Sequence, residues 1–163
     1  MTASTPAQRR SATEQRKLDA ALTELFERQI TFNRILGLKV LRLGPGGPQI
    51  RFDMQPELIG HYQYGRLHGG VISATLDAMA GLAIMVALCE KHADESAEQV
   101  MHRFARLGTI DLRVDYLRPG IGRHFTGSAV VLRLGGRVGS TQMRLVNDDE
   151  TLIATGAAAY MIS

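Results

Sequence analysis

The run His68-Gly69-Gly70, followed at a distance by Asp77, holds the residue types best suited to act on a substrate. Two glycines at a helix entrance leave backbone N–H groups without intrahelical acceptors. No side chains shield them, and they lie at the positive end of the helix dipole, so this point suits an oxyanion. The plainer alternative is a tight Gly-Gly turn with His68 as an imperfect cap. Asp77 is harder to treat as scaffolding. Its neighbours Ala74, Leu76, Ala78, Ala80 and Gly81 are small or apolar, so its carboxylate is either paired with an arginine or held for chemistry.

Spacing limits how these two features can cooperate. Asp77 lies seven positions beyond Gly70, about 10 Å along a helix axis at about 1.5 Å per residue. Reacting atoms must approach to about 3–3.5 Å, so one helix does not present both groups to one carbon. A twofold dimer with antiparallel copies of the helix does, and it creates two equivalent sites. The expected functional unit is an obligatory homodimer, with a dimer of dimers as the larger option.

The elements that must position these residues follow from patterning. Val71 to Cys89 is the most apolar stretch, and Ser73, Thr75 and Asp77 interrupt it. A carboxylate there favours a buried helix, running to about Glu90, over a membrane span. Residues 1–10 read as a flexible tail. From Ser11 to Leu36, the residues Leu18, Leu22, Leu25, Phe26, Ile30 and Ile35 recur at helical intervals, which predicts one amphipathic helix ending at Gly37. Leu38–Leu43 and Ile50–Met54 flank a Gly-Pro turn and predict a hairpin, and 60–67 reads as a glycine-rich aromatic loop. Residues 91–99 read as irregular or loosely helical.

Beyond them, 109–117, 125–134, 138–146 and 152–162 are strand-like, with Ile110, Leu112, Val114 and Tyr116 alternating against Asp111, Arg113 and Asp115. Short connectors favour an antiparallel meander. A helix apolar on most sides must be surrounded, so the expected α+β architecture is a curved antiparallel sheet wrapped around one long central helix, with an extra N-terminal helix. Residues 37–163 form the single domain.

Composition narrows the function classes. The chain has 163 residues, 45% of them hydrophobic and 21% charged, with one Cys and a net charge of +3. That describes a globular domain with no internal disulfide and no Cys-rich zinc site, in a reducing, cytoplasmic setting. Cys89 reads as a small apolar filler. The charge excess is too small to argue for nucleic acid, and MTASTPAQRR leads into no apolar segment of a secretory signal. His61 and His68 lack the companion ligands of a metal site, and the glycine clusters match no nucleotide-binding loop.

Leu67-His68-Gly69-Gly70-Val71-Ile72-Ser73, the acid nine residues after His68, and Asp111-Leu112-Arg113-Val114-Asp115-Tyr116-Leu117-Arg118-Pro119 occur in that order. In these motifs the chain resembles the hotdog-fold acyl-CoA thioesterases of the phenylacetate-pathway type, over roughly residues 36–163. The resemblance implies hydrolysis of an acyl-CoA without cofactor or metal. It implies that the Gly70 N–H polarises the thioester carbonyl, with Gly69 beside it. The partner subunit's copy of Asp77 would activate water or attack directly, assisted by Thr109. The family's loop carries an Asn six or seven residues before the HGG histidine, where this chain has Tyr62 and His61. His61, with Gln63, stands in as a donor, and His68 shapes the loop.

Arg118 and Arg137 are the candidate partners of the CoA phosphates, and Ser140 is a further substrate contact. Most arginines between Arg103 and Arg144 read as a solvated sheet face. The small residues Ala74, Ala78 and Gly81, with the added N-terminal helix, suggest room for a medium or long aliphatic chain. Two other readings compete. One is an acyl-CoA-binding or regulatory protein without turnover. The other is a 3-hydroxyacyl thioester dehydratase or hydratase with His68 as base.

Overall fold

The computed structural model describes residues 9–44 and 46–162. The central element is α3 (Gly69–Lys91), whose residues Leu76, Met79, Leu82 and Ile84 are fully buried. Each such side chain contributes about 1.5–3 kcal/mol through burial. α3 is long and apolar enough to cross a membrane, but 61% of its apolar window is buried inside the fold. It is the core of the domain.

Around it curves a six-stranded antiparallel sheet, ordered β1-β2-β6-β7-β8-β5. β1 (Lys39–Arg42) and β2 (Gln49–Asp53) form the expected hairpin. β5 (Gly108–Tyr116), β6 (His124–Leu134), β7 (Val138–Asn147) and β8 (Leu152–Met161) match the four predicted strands. Only β6 to β8 form a meander. β5 skips β6 and pairs with β8 at the sheet edge, because the connection after it is drawn across the sheet end. Leu117 N–H donates to Ile153 O there (2.9 Å), and Gly120 O accepts from Leu67 N–H (2.9 Å).

The N-terminal segment departs from the single helix expected. α1 (Ala12–Glu24), capped by Ser11, gives way to a π-helical turn at Leu25–Gln29, and α2 (Thr31–Leu36) follows after a break at Ile30. Tertiary contacts hold the break. Asn33 Nδ2 donates to Phe26 O (3.0 Å), while Glu27 accepts from Val40 N–H (2.8 Å) and from Lys39 Nζ (3.0 Å) on β1. α2 ends at Gly37, as predicted, in the left-handed conformation (φ 70°) that glycine adopts without strain.

Of the expected flexible tail, residues 1–8 lie outside the described residues. Arg10 is anchored instead, its guanidinium donating to the carbonyls of Glu95 (2.9 Å), His92 (2.8 Å) and Cys89 (3.3 Å). These carbonyls lie at and just beyond the end of α3, where a cation complements the dipole. The stretch read as loosely helical leads into α4 (Ala97–Arg103), opened by a Ser96/Gln99 capping box. The aromatic loop contains a small hairpin, β3 (Ile59–His61) with β4 (Arg66–Leu67).

Candidate active site

Asp77 sits half-buried on α3, and its Oδ1 accepts two hydrogen bonds, from Thr109 Oγ1 (2.9 Å) and Tyr160 Oη (2.6 Å). Thr109 reaches it because β5 is irregular. Thr109 pairs with Tyr160 and Asp111 pairs with Ala159, so Ile110 is an extra residue. Plain alternation would turn Thr109 to the same face as Asp111, away from α3. The bulge moves Thr109 inward and leaves Ile110 57% exposed, a departure from the expected inward Ile110.

Sequence reading missed Tyr160. Its signal was a single large residue ending an inward row, Ala154, Gly156 and Ala158, that is otherwise small enough for α3 to pack closely. Gly81 lies against the ring, where a Cβ would stand 3.4 Å from Tyr160 Oη, an ordinary van der Waals contact. Burial, reinforced by the bond to Asp77, holds the phenol well above its ordinary pKa, so it remains protonated and donates.

Beside this cluster opens a cavity of about 680 Å³ with mainly apolar walls. Ala74, Ala78 and Gly81 form part of its floor, the π-helical turn lies over it, and Met101 and Phe104 line it from α4 and the turn that follows. The N-terminal segment was expected to make room for the aliphatic chain, but the α4 contribution was not identified from sequence, because its apolar residues read equally well as core. Cys89 is buried and burial pushes its thiol up to about 12, which suits a filler and not a nucleophile.

The α3 entrance is a separate cluster. His68 is the N-cap, and its Nδ1 accepts the Gly70 N–H at 2.9 Å. The oxyanion donor expected from sequence is therefore engaged within its own chain. Gly69 begins α3 and has no helical residue four positions earlier to accept its N–H. Gly69 O accepts from Tyr116 Oη (3.1 Å). Edge strand β5 thus contacts the Asp77 end through Thr109 and the entrance through Tyr116, and the two clusters stay apart.

His61 joins neither bond network. Its ring lies 4.8 Å from Tyr64 and 6.0 Å from Tyr62, in the exposed hairpin that also carries Gln63. Arg118 donates to Leu152 O (3.0 Å), and Arg137 is exposed in the β6–β7 turn. Ser140 pairs with Arg133 and Ala159 on the outer face of the sheet, opposite to buried Thr141, so it lies across the sheet from Asp77. Among the described residues no group of three His, Cys, Asp or Glu is placed to hold a metal.

The family profile of the thioesterase superfamily matches residues 64–154, which span the α3 entrance, Asp77, Thr109 and most of the sheet. The chain belongs to the thioesterase superfamily. Its fold is the hotdog fold of that superfamily, as the motifs implied. A thioesterase-superfamily protein from Shewanella oneidensis superposes with a TM-score of 0.86 at 38% identity, covering 94% of this chain and 100% of its own. A relative from Salmonella typhimurium, named medium/long-chain acyl-CoA thioesterase YigI, is 41% identical over 139 residues, 85% of this chain and 90% of its own length. The Escherichia coli protein of the same name is 40% identical over the same length.

Proposed function

We propose that this thioesterase hydrolyses medium- and long-chain acyl-CoA in a twofold dimer. The observation that carries the reading is the apolar cavity with the Asp77 carboxylate at its rim, a shape that buries an aliphatic chain and leaves its thioester beside a base. The YigI relatives' names agree with that chain length.

In the reaction, Asp77 takes a proton from water and the water oxygen attacks the thioester carbonyl. The carbonyl oxygen becomes an oxyanion held by N–H groups at the partner subunit's α3 entrance, replacing His68 as acceptor of the Gly70 N–H. The C–S bond then breaks. CoA leaves as a thiolate that recovers the proton, and the acyl group leaves as a free acid.

The open edge of β5 supports the dimer. Its other edge pairs with β8, and Ile110 and Tyr116 are exposed along it. Nine residues of unpaired strand are an invitation to antiparallel pairing with a second copy.

Thiol release from acetyl- through palmitoyl-CoA and from phenylacetyl-CoA tests the reading. The expected result is kcat/KM rising from short to medium and long chains. Preference for acetyl- or phenylacetyl-CoA would overturn the chain-length reading, and acyl-CoA binding without thiol release would replace hydrolysis with a binding role.

A further inference from the structure

We infer that Tyr160 is a positioning residue that fixes which oxygen of Asp77 reacts. This rests on the hydrolytic reading above. Tyr160 Oη lies 2.6 Å from Asp77 Oδ1 and 2.7 Å from Asp77 O, so its one O–H is shared between the carboxylate, at the shorter distance, and the backbone carbonyl of the same residue. Thr109 adds its bond to the same Oδ1. Among the described residues no side chain or backbone group donates to Oδ2. Two hydroxyls therefore hold one oxygen, and the other faces the water that attacks.

Two features of the fold serve this contact. The inward row of β8 places Tyr160 beneath α3, where it is 6% exposed and cannot exchange Asp77 for water. The β5 bulge sets Thr109 opposite Tyr160 in the strand register, so both hydroxyls converge on one atom. A carboxylate on a helix otherwise rotates freely about its terminal torsion, which is broad and roughly two-fold. Two donors on one oxygen remove that freedom before substrate arrives, and a misplaced base slows the chemical step without weakening substrate binding.

The test is Tyr160→Phe in the full chain, beside Thr109→Val and Asp77→Ala. Tyr160→Phe is expected to lower kcat about 10- to 100-fold with KM within about twofold. Thr109→Val gives a smaller loss of kcat, again with little change in KM. A second readout needs no activity: the effect of Tyr160→Phe on the urea midpoint should differ between wild type and the D77A background, since the side chains interact directly. Unchanged kcat, or additive midpoints, would overturn the inference. A wild-type protein that releases no thiol from any acyl-CoA would sink the hydrolytic reading instead, and the urea cycle would still report on the Tyr160–Asp77 contact.

Discussion

The Asp77 cluster and the α3 entrance, which the proposed dimer brings together, are built differently. The first is finished within one chain: Asp77 is held by two hydroxyls beside an apolar cavity. The second is open, with His68 exposed and its ring holding the Gly70 N–H that a thioester would need. The two clusters lie about 10 Å apart along one helix, and the side-chain carboxylate is the more firmly held of the two. In the proposed mechanism the backbone half is completed by a second copy and the substrate.

The largest expected effect breaks the finished half. Asp77→Asn should lower kcat by about 10²–10⁴-fold, read by thiol release, while circular dichroism and size-exclusion elution stay as in wild type. The division between halves is then tested by mixing. Asp77→Asn and Gly70→Pro, each inactive alone, should recover roughly half of wild-type turnover in mixed dimers, because one of the two equivalent sites keeps both partners. Failure of mixed dimers to recover activity would place both halves in one chain.

Ala78→Leu sharpens the comparison on the cavity side. Each excluded methylene forgoes about 0.8 kcal/mol, so losing room for two or three should lower palmitoyl-CoA kcat/KM by about 15- to 60-fold relative to butyryl-CoA. Equal losses on both substrates would separate the cavity from chain selection. The smallest effect falls on the entrance: His68→Ala removes the N-cap of α3 and should cost on the order of 1 kcal/mol in urea unfolding, with the Asp77 cluster intact.

The strands, the central helix and the HGG-to-Asp77 spacing were legible because each is local: period-two alternation, an apolar run and a glycine entrance are written in neighbouring residues. The break in the N-terminal helix was not. Leu25 to Ile35 keeps helical spacing, and only contacts from Asn33 to Phe26 O and from Glu27 to β1 turn it into a π-helical roof. The substrate assignments of Ser140, Arg118 and Arg137 were inferred from residue type. Strand register then set Ser140 on the outer face, and Arg118 and Arg137 lie outside the cavity lining.

By itself, then, the sequence determined a carboxylate on a buried helix with a glycine entrance about 10 Å away along its axis. The motif resemblance pointed to Thr109 on the acid's side, and tertiary structure decided the geometry and added Tyr160. Thr109 faces Asp77 through a one-residue bulge, and Tyr160 meets it from a strand 83 residues away in the chain. Both depend on cross-strand pairing, in which a single extra residue reverses the face of every side chain before it.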